Sequence, residues 1–211
     1  RPARGGGLGP HRSEPFMSPR PRLDHVRRPA MLSAAAEVIR ERGLENARVS
    51  DVAERAGTSA PSVLYYFETK AELLKEALTS AEEDYYDELE RELEGIESAH
   101  ERLVRIVAGG AGDGDYDASL WMELWARALR DPDLAATRAE LDGRWRRAIA
   151  DVVHYGQERG EFGKVEADAF AVLLSSLLDG LAVQIALKDE EVTPRRAREL
   201  SLAFAEKELG C

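Results

Sequence analysis

The sequence predicts an all-α chain in two parts, a small N-terminal three-helix domain containing a helix-turn-helix and a larger C-terminal helical bundle. Three observations carry this. Residues 49–70 read as two short helices around a glycine turn. From residue 70 onward apolar side chains recur at helical spacing, and no convincing strand interrupts them. Charge is divided: residues 1–70 carry 12 Lys+Arg against 8 Asp+Glu, and residues 71–211 carry 17 against 32. A basic end on an acidic body suits a nucleic-acid reader joined to a part that DNA repels.

Residues 1–28 read as a disordered basic arm. They hold seven arginines and five prolines, with Gly-Gly-Gly-Leu-Gly-Pro near the start, and cannot build a core. They also lack the apolar run of a secretory signal. The chain begins with Arg1, so Met17 is a candidate start and residues 1–16 an upstream extension. Arg20, Arg22, Arg27 and Arg28 then form an arm suited to a minor groove or to phosphates. A solvated tail without a role is the alternative. The single cysteine, Cys211, excludes an intrachain disulfide and a cysteine metal site, which fits a cytoplasmic protein.

Pro29 opens the first helix, residues 29–43, with Leu32, Ala35, Ala36 and Ile39 as its apolar stripe and Gly43 as its end. The second helix spans residues 50–56. Ser50 is its expected N-cap, with Glu54 near capping-box distance. Gly57 ends it, because glycine takes a left-handed C-cap without a Cβ penalty. Ser59 caps the third helix, and Pro61 sits in its first turn, where no N–H is needed. Val63 and Phe67 face back to the second helix, leaving Ser62, Tyr65 and Tyr66 outward. This is a helix-turn-helix. The third helix has no acidic side chain before Glu68, and Lys70 follows at the next helix start, so its outer face suits a major groove. An αα-corner in an ordinary bundle is the alternative.

The fourth helix runs from Lys70 to about Leu93, with Leu74, Leu78, Ala81, Tyr85 and Leu89 in register. Helices follow near residues 97–109, 116–130, 132–159, 166–187 and 194–208. The glycines from Gly109 to Gly114 read as a loop, but not a phosphate loop, since no Gly-Lys-Ser/Thr follows. Residues 169–187 hold one charge, Asp179, over a length that could cross a bilayer. Ser175, Ser176, Gly180 and Gln184 interrupt the stretch and no basic flank anchors it, so burial is expected, between the bundle and a second subunit.

Two stretches have metal-ligand spacing, Glu97-x-x-His100 and Asp151-x-x-His154. Each pair falls on one helix face, as in four-helix di-iron carboxylate proteins. A metal-dependent helical-bundle enzyme is therefore the alternative class, although two further bridging glutamates would be needed. No nucleophile–base set or resident cofactor site is apparent. In the sixth helix, Trp121 and Trp125 share a face with Met122 beside them, and Trp145, Ile149 and Val152 of the seventh are placed to face them. Tyr85 of the fourth helix is a further candidate. Such aromatics either pack as plain core or line a ligand pocket. Glu123 beside them suits a cationic ligand, through its charge and the rings.

Three pieces carry a resemblance: Ala-Ala-Glu-Val-Ile-Arg-Glu-Arg-Gly (35–43), Val-Ser-Asp-Val-Ala-Glu-Arg-Ala-Gly-Thr-Ser (49–59) and Tyr-Tyr-Phe-Glu-Thr-Lys-Ala-Glu-Leu-Leu (65–74). Residues 31–78 closely resemble the DNA-binding region of TetR-type regulators. Leu124 to Leu134, Gly143-Arg-Trp-Arg-Arg and Leu178-Asp-Gly-Leu-Ala look like the BetI-like subclass of C-terminal domains. The resemblance implies a one-component repressor, not an enzyme, with a DNA-binding domain over residues 29–75 and a ligand-binding and dimerisation domain over 76–211. It implies a homodimer on a palindromic double-stranded DNA operator, released by a small-molecule effector. The expected DNA contacts are Arg48, Ser50, Ala60, Pro61, Ser62, Leu64, Tyr65, Tyr66 and Lys70. Many relatives carry tyrosine at the position of Leu64, which here can meet a thymine methyl instead. Dimerisation would use the last two helices, through Leu174, Leu178, Ala182 and Ile185. The fourth helix joins the two domains in that family, and its movement carries the signal.

Overall fold

The computed structural model of the chain describes residues 24–111 and 118–211, which form nine helices and no strand. They are α1 (Asp24–Asn46), α2 (Val49–Arg55), α3 (Ala60–Tyr66), α4 (Lys70–Glu94), α5 (Ala99–Gly110), α6 (Ala118–Ala128), α7 (Pro132–Glu158), α8 (Ala167–Ala186) and α9 (Pro194–Leu209). Arg20 and Arg22 of the expected arm lie outside the described residues. Arg27 and Arg28 do not belong to an arm: α1 begins at Asp24 and carries both, with Pro29 inside it. A proline this near the start removes one backbone bond, and the helix continues through it. Gly43 leaves helical geometry at φ 76°, ψ 160°, as a helix end requires, and a further turn follows to Asn46.

The caps around the turn are local. Arg48, not Ser50, is the N-cap of α2, and its backbone N–H donates to the Asp51 carboxylate at 3.2 Å. Ser50 and Glu54 therefore have no capping role. Asp51 also pairs with Arg42 of α1 at 2.9 Å. Gly57 takes φ 64°, letting Thr58 N–H reach the Ala53 carbonyl at 2.8 Å. The Ser59 hydroxyl accepts from Ser62 N–H at 3.3 Å, and Thr69 caps α4 the same way at 3.0 Å.

Two cores form. The first joins Met31, Val38 and Ile39 of α1 to Val52 of α2, Val63 and Phe67 around α3, and Leu73 to Leu78 of α4. Leu124 of α6 and Leu141 of α7 are sealed into this same core. The second core lies between α4, α5, α7, α8 and α9, around Leu103, Ile106, Ile149, Leu174 and Leu178. Gly109 and Gly110 end α5 rather than forming a loop. A Cβ on Gly110 would come within 2.7 Å of Leu178 and 3.2 Å of Trp145, so the glycine admits close packing of three helices. At the far end a Cβ on Gly156 would fall 2.1 Å from the Phe162 ring.

The interface residues expected on α8 need correction. Leu174, Leu178 and Ala182 are buried inside the chain's own bundle, and Ile185 is partly buried against the same core. The outward apolar side chains are Val172 (46% exposed), Leu173 (58%) and Leu187 (64%), with Leu200 on α9. α8 is long and apolar enough to cross a membrane, but one side of it is bundle core.

Candidate functional site

α3 is seven residues long and hangs on two buried anchors, Val63 within it and Phe67 at its C-cap. So short a helix cannot hold itself in water, so its pose depends on these contacts. Tyr65 is left 79% exposed and Leu64 48% exposed, with Pro61 exposed and Ser62 half-buried. Tyr66 is half-buried on the core edge, its ring perpendicular to Tyr65 at 5.3 Å. Arg48 and Ser50 are exposed at the start of α2, and Ala60 is half-buried at the start of α3. Lys70 is not a free ammonium: its Nζ donates to the Glu45 carbonyl at 3.1 Å, which leaves two of its three N–H groups for a phosphate.

Surface pairs fix this unit to α1. Arg55 of α2 donates to Glu37 at 2.8 Å and Glu41 at 2.6 Å. Those bonds raise the arginine's pKa and lower that of Glu41. Arg28 lies over the Phe67 ring at 4.9 Å and pairs with Glu76 of α4. Exposed pairs of this kind are worth roughly 0–1 kcal/mol each, so they orient α2 and α3, while burial of Val63 and Phe67 contributes most of the stabilisation.

The aromatic set in the bundle divides three ways. Trp121 packs against the first core, beside Leu124. Trp145 packs against the second, and Ile149 and Val152 are buried within it. Ile149 and Val152 are core residues, while Trp145 stays half-buried at the edge of that core. Tyr85 is partly buried against the same core, edge-on to Tyr86 at 5.4 Å. Trp125 and Met122 are half-buried, and the Trp125 indole N–H is buried without a hydrogen-bond partner among the described residues. The side chain of Glu123 lies outside the described residues.

Two carboxylates that sequence reasoning does not select as effector contacts stand out in the structure, Asp142 on α7 and Asp179 on α8. Burial raises both pKa values; Asp179 is pushed up to about 6, with the charge of Asp142 adding to the effect. Arg138, 2.6 Å from Asp142, and Arg146 pull the other way without cancelling it. Asp142 precedes Trp145 by about one turn, and Asp179 follows Leu178; Leu178 and Trp145 both crowd Gly110. Partly desolvated carboxylates that their arginines do not fully compensate attract a cation. The sequence does carry a signal for one of them: Asp179 is the lone charge in an apolar helix.

The metal half-sites do not meet. His100 Nε2 bonds to Glu206 at 2.8 Å, the Glu97 carbonyl accepts from Tyr155, and Asp151 and His154 are exposed. No three His, Cys, Asp or Glu side chains gather around a common point among the described residues.

Comparison with known proteins agrees with this geometry. Residues 31–77 match the N-terminal region of the bacterial regulatory proteins of the tetR family, and residues 99–210 match the C-terminal region of BetI-type transcriptional repressors. The regulator BetI 1 of Chromohalobacter salexigens is 28% identical over 197 residues, covering 89% of this chain and 93% of that protein. A transcriptional regulator from Saccharomonospora viridis, solved in complex with choline, superposes with a TM-score of 0.77 at 31% identity, covering 87% of this chain and 97% of that one. A TetR-family regulator from Rhodococcus gives 0.74 at 31% identity, covering 87% and 98%. A helix-turn-helix on a helical bundle, matched along both parts of the chain, places this protein in the TetR family of transcriptional regulators, with a BetI-type C-terminal domain.

Proposed function

We propose that this chain represses transcription as a homodimer on a palindromic operator in the cytoplasm, and that a small organic cation of the choline type releases it. The observation that carries the choice of effector is the half-buried Asp142 and Asp179, each raised by desolvation that the charges of Arg138 and Arg146 do not cancel. The choline complex of the Saccharomonospora viridis regulator supports the same reading. Trp125 supplies an indole edge whose N–H has no partner among the described residues. The outward face of Val172, Leu173, Leu187 and Leu200 is the surface a second copy would cover.

Dimer geometry would set the mechanism. Two α3 helices read one operator only when they stand about one DNA turn apart, about 34–36 Å. α6 packs on α1, α7 and α8: Trp121 and Leu124 join the first core, while Trp125 is one turn beyond Trp121 on the same helix. A ligand that prefers another pose of α6 weakens DNA binding, and DNA weakens ligand binding by the same factor.

The test is fluorescence anisotropy of a labelled promoter fragment from the protein's own locus, titrated with choline. The wild type is expected to release the fragment. Asp179→Asn is expected to bind DNA normally and to ignore choline. A variant that still responds like wild type would refute the assignment of the carboxylate.

A further inference from the structure

One stripe of α8 turns away from the bundle and is patterned about a single glycine. Leu173 and Leu187 are exposed, seven residues either side of Gly180, and Ser176 and Gln184 are exposed, four residues either side of it. Steps of three and four residues put all five on one helix face. Between Ala169 and Leu187 the only charge is Asp179, so this face offers little to a charged partner. Among the described residues nothing requires a glycine at position 180. A Cβ there would meet no atom within 4 Å, whereas one on Gly110 would strike Leu178. Glycine is unfavourable in a helix interior, and Gly180 lies well inside α8. What it provides is a low point on an exposed face, where a second helix can lie close.

A contact between two copies of one surface is self-complementary: residue i meets j, and j meets i. The spacing about Gly180 meets that condition. An antiparallel crossing of two α8 helices at this glycine sets Leu173 against the partner's Leu187, and Ser176 against the partner's Gln184, twice over. Asp179 lies on the margin of the same face, beside Gly180 and about one turn from Ser176, and its own chain only half-buries it. We infer that two copies of this chain cross at Gly180, and that the partner's α8 closes the open side of Asp179, so that the effector site is complete only in the dimer. The inference rests on the proposed homodimer and choline-type effector; it adds where the helices cross and that the site is shared. Occupancy then tightens the dimer by the factor by which dimerisation tightens effector binding.

The experiment joins sedimentation with calorimetric titration of choline, on the full-length wild type, Gly180→Leu and Gly180→Ala. The wild type is expected to sediment as a dimer and to bind choline. Gly180→Leu, whose added side chain starts in open space within its own chain, is expected to keep its helical circular dichroism, to be monomeric at micromolar concentration, and to bind choline about tenfold more weakly or worse. A leucine variant that dimerises like the wild type would overturn the crossing. A folded monomer with wild-type choline affinity would overturn the shared site. Should the leucine variant lose helix, the alanine variant decides, since alanine favours the helix: its dimer is expected to dissociate about tenfold more readily, and equal dissociation would overturn the crossing. A wild-type dimer that takes up no choline would overturn the effector reading and the shared site with it, leaving the crossing to stand or fall on sedimentation alone.

Discussion

The two cores of this molecule handle polar groups in opposite ways. Around α3, helix ends and charges are satisfied within a few residues or by a neighbour on α1. Ser59 and Thr69 cap, Gly57 turns, and Arg55 joins Glu37 and Glu41. Between α6, α7 and α8 lie an indole N–H without an acceptor among the described residues and two half-buried carboxylates whose pKa burial raises. The first region presents Tyr65 and its neighbours on a well-satisfied frame. The second holds under-satisfied polar groups, and on the proposed reading a ligand relieves them where a fully satisfied site could not respond.

The largest effect comes from putting a charge in the bundle core. Leu178→Arg is expected to cost about 4 kcal/mol or more and to melt the protomer itself, because Leu178 is sealed against Gly110 and Trp145. Leu173→Glu, on the exposed face of the same helix, is expected to leave the circular dichroism helical while sedimentation shows the dimer splitting. Equal loss of helix in both variants would erase the distinction between the two faces of α8.

Next in size is the titration of Asp179. Its folded pKa of about 6 lies above the ordinary carboxylate value, so the folded state holds a proton that the unfolded state has lost. Stability from this group is full below about pH 4, falls as pH rises through about 6, and is flat beyond. Asp179→Asn is expected to remove that slope in pH-dependent melts and to raise stability at pH 7. Choline affinity should run oppositely, weakening as pH drops below about 6 and the carboxylate takes its proton. A melt profile unchanged by the substitution would contradict the burial argument.

Smaller effects belong to the DNA face. Lys70→Ala is expected to weaken binding to every sequence and flatten the salt dependence by about one unit. Tyr65→Ala should change preference among operator variants, by about 1–3 kcal/mol at the base it meets. Gel retardation over a salt series and an operator panel separates the two. Smallest of all are the caps: Ser59→Ala should cost about 1 kcal/mol and Ser50→Ala less than about 0.5 kcal/mol in thermal melts, since only the first hydroxyl accepts a backbone N–H.

The same contrast explains what is legible in the sequence. Gly57, Ser59, Pro61 and Phe67 act on neighbours within a few residues, so the turn and α3 can be read directly. The cap of α2 falls two positions before the expected Ser50 because Arg48, which no cap preference marks, holds it through Asp51. Leu174, Leu178 and Ala182 turn inward rather than toward a second subunit. α8 is apolar nearly all round, and no periodicity says which side meets the core. Trp121 and Trp125 share a helical face by spacing, yet the first core takes one and leaves the other's N–H without a partner among the described residues. Asp142 and Asp179 are 37 positions apart in the chain, and only the packing of α7 on α8 makes them influence each other. Glu97, His100, Asp151 and His154 have a metal-like spacing, but the packing sends them to separate surroundings.

The central claim is that the bundle's unsatisfied polar site and the α3 face are thermodynamically coupled. The direct measurement is the affinity of choline for the protein alone and for the protein saturated with operator, by calorimetry in one buffer. The two values are expected to differ, with choline weaker on the DNA complex by the same factor that saturating choline weakens operator binding. Identical choline affinity with and without DNA would contradict the account.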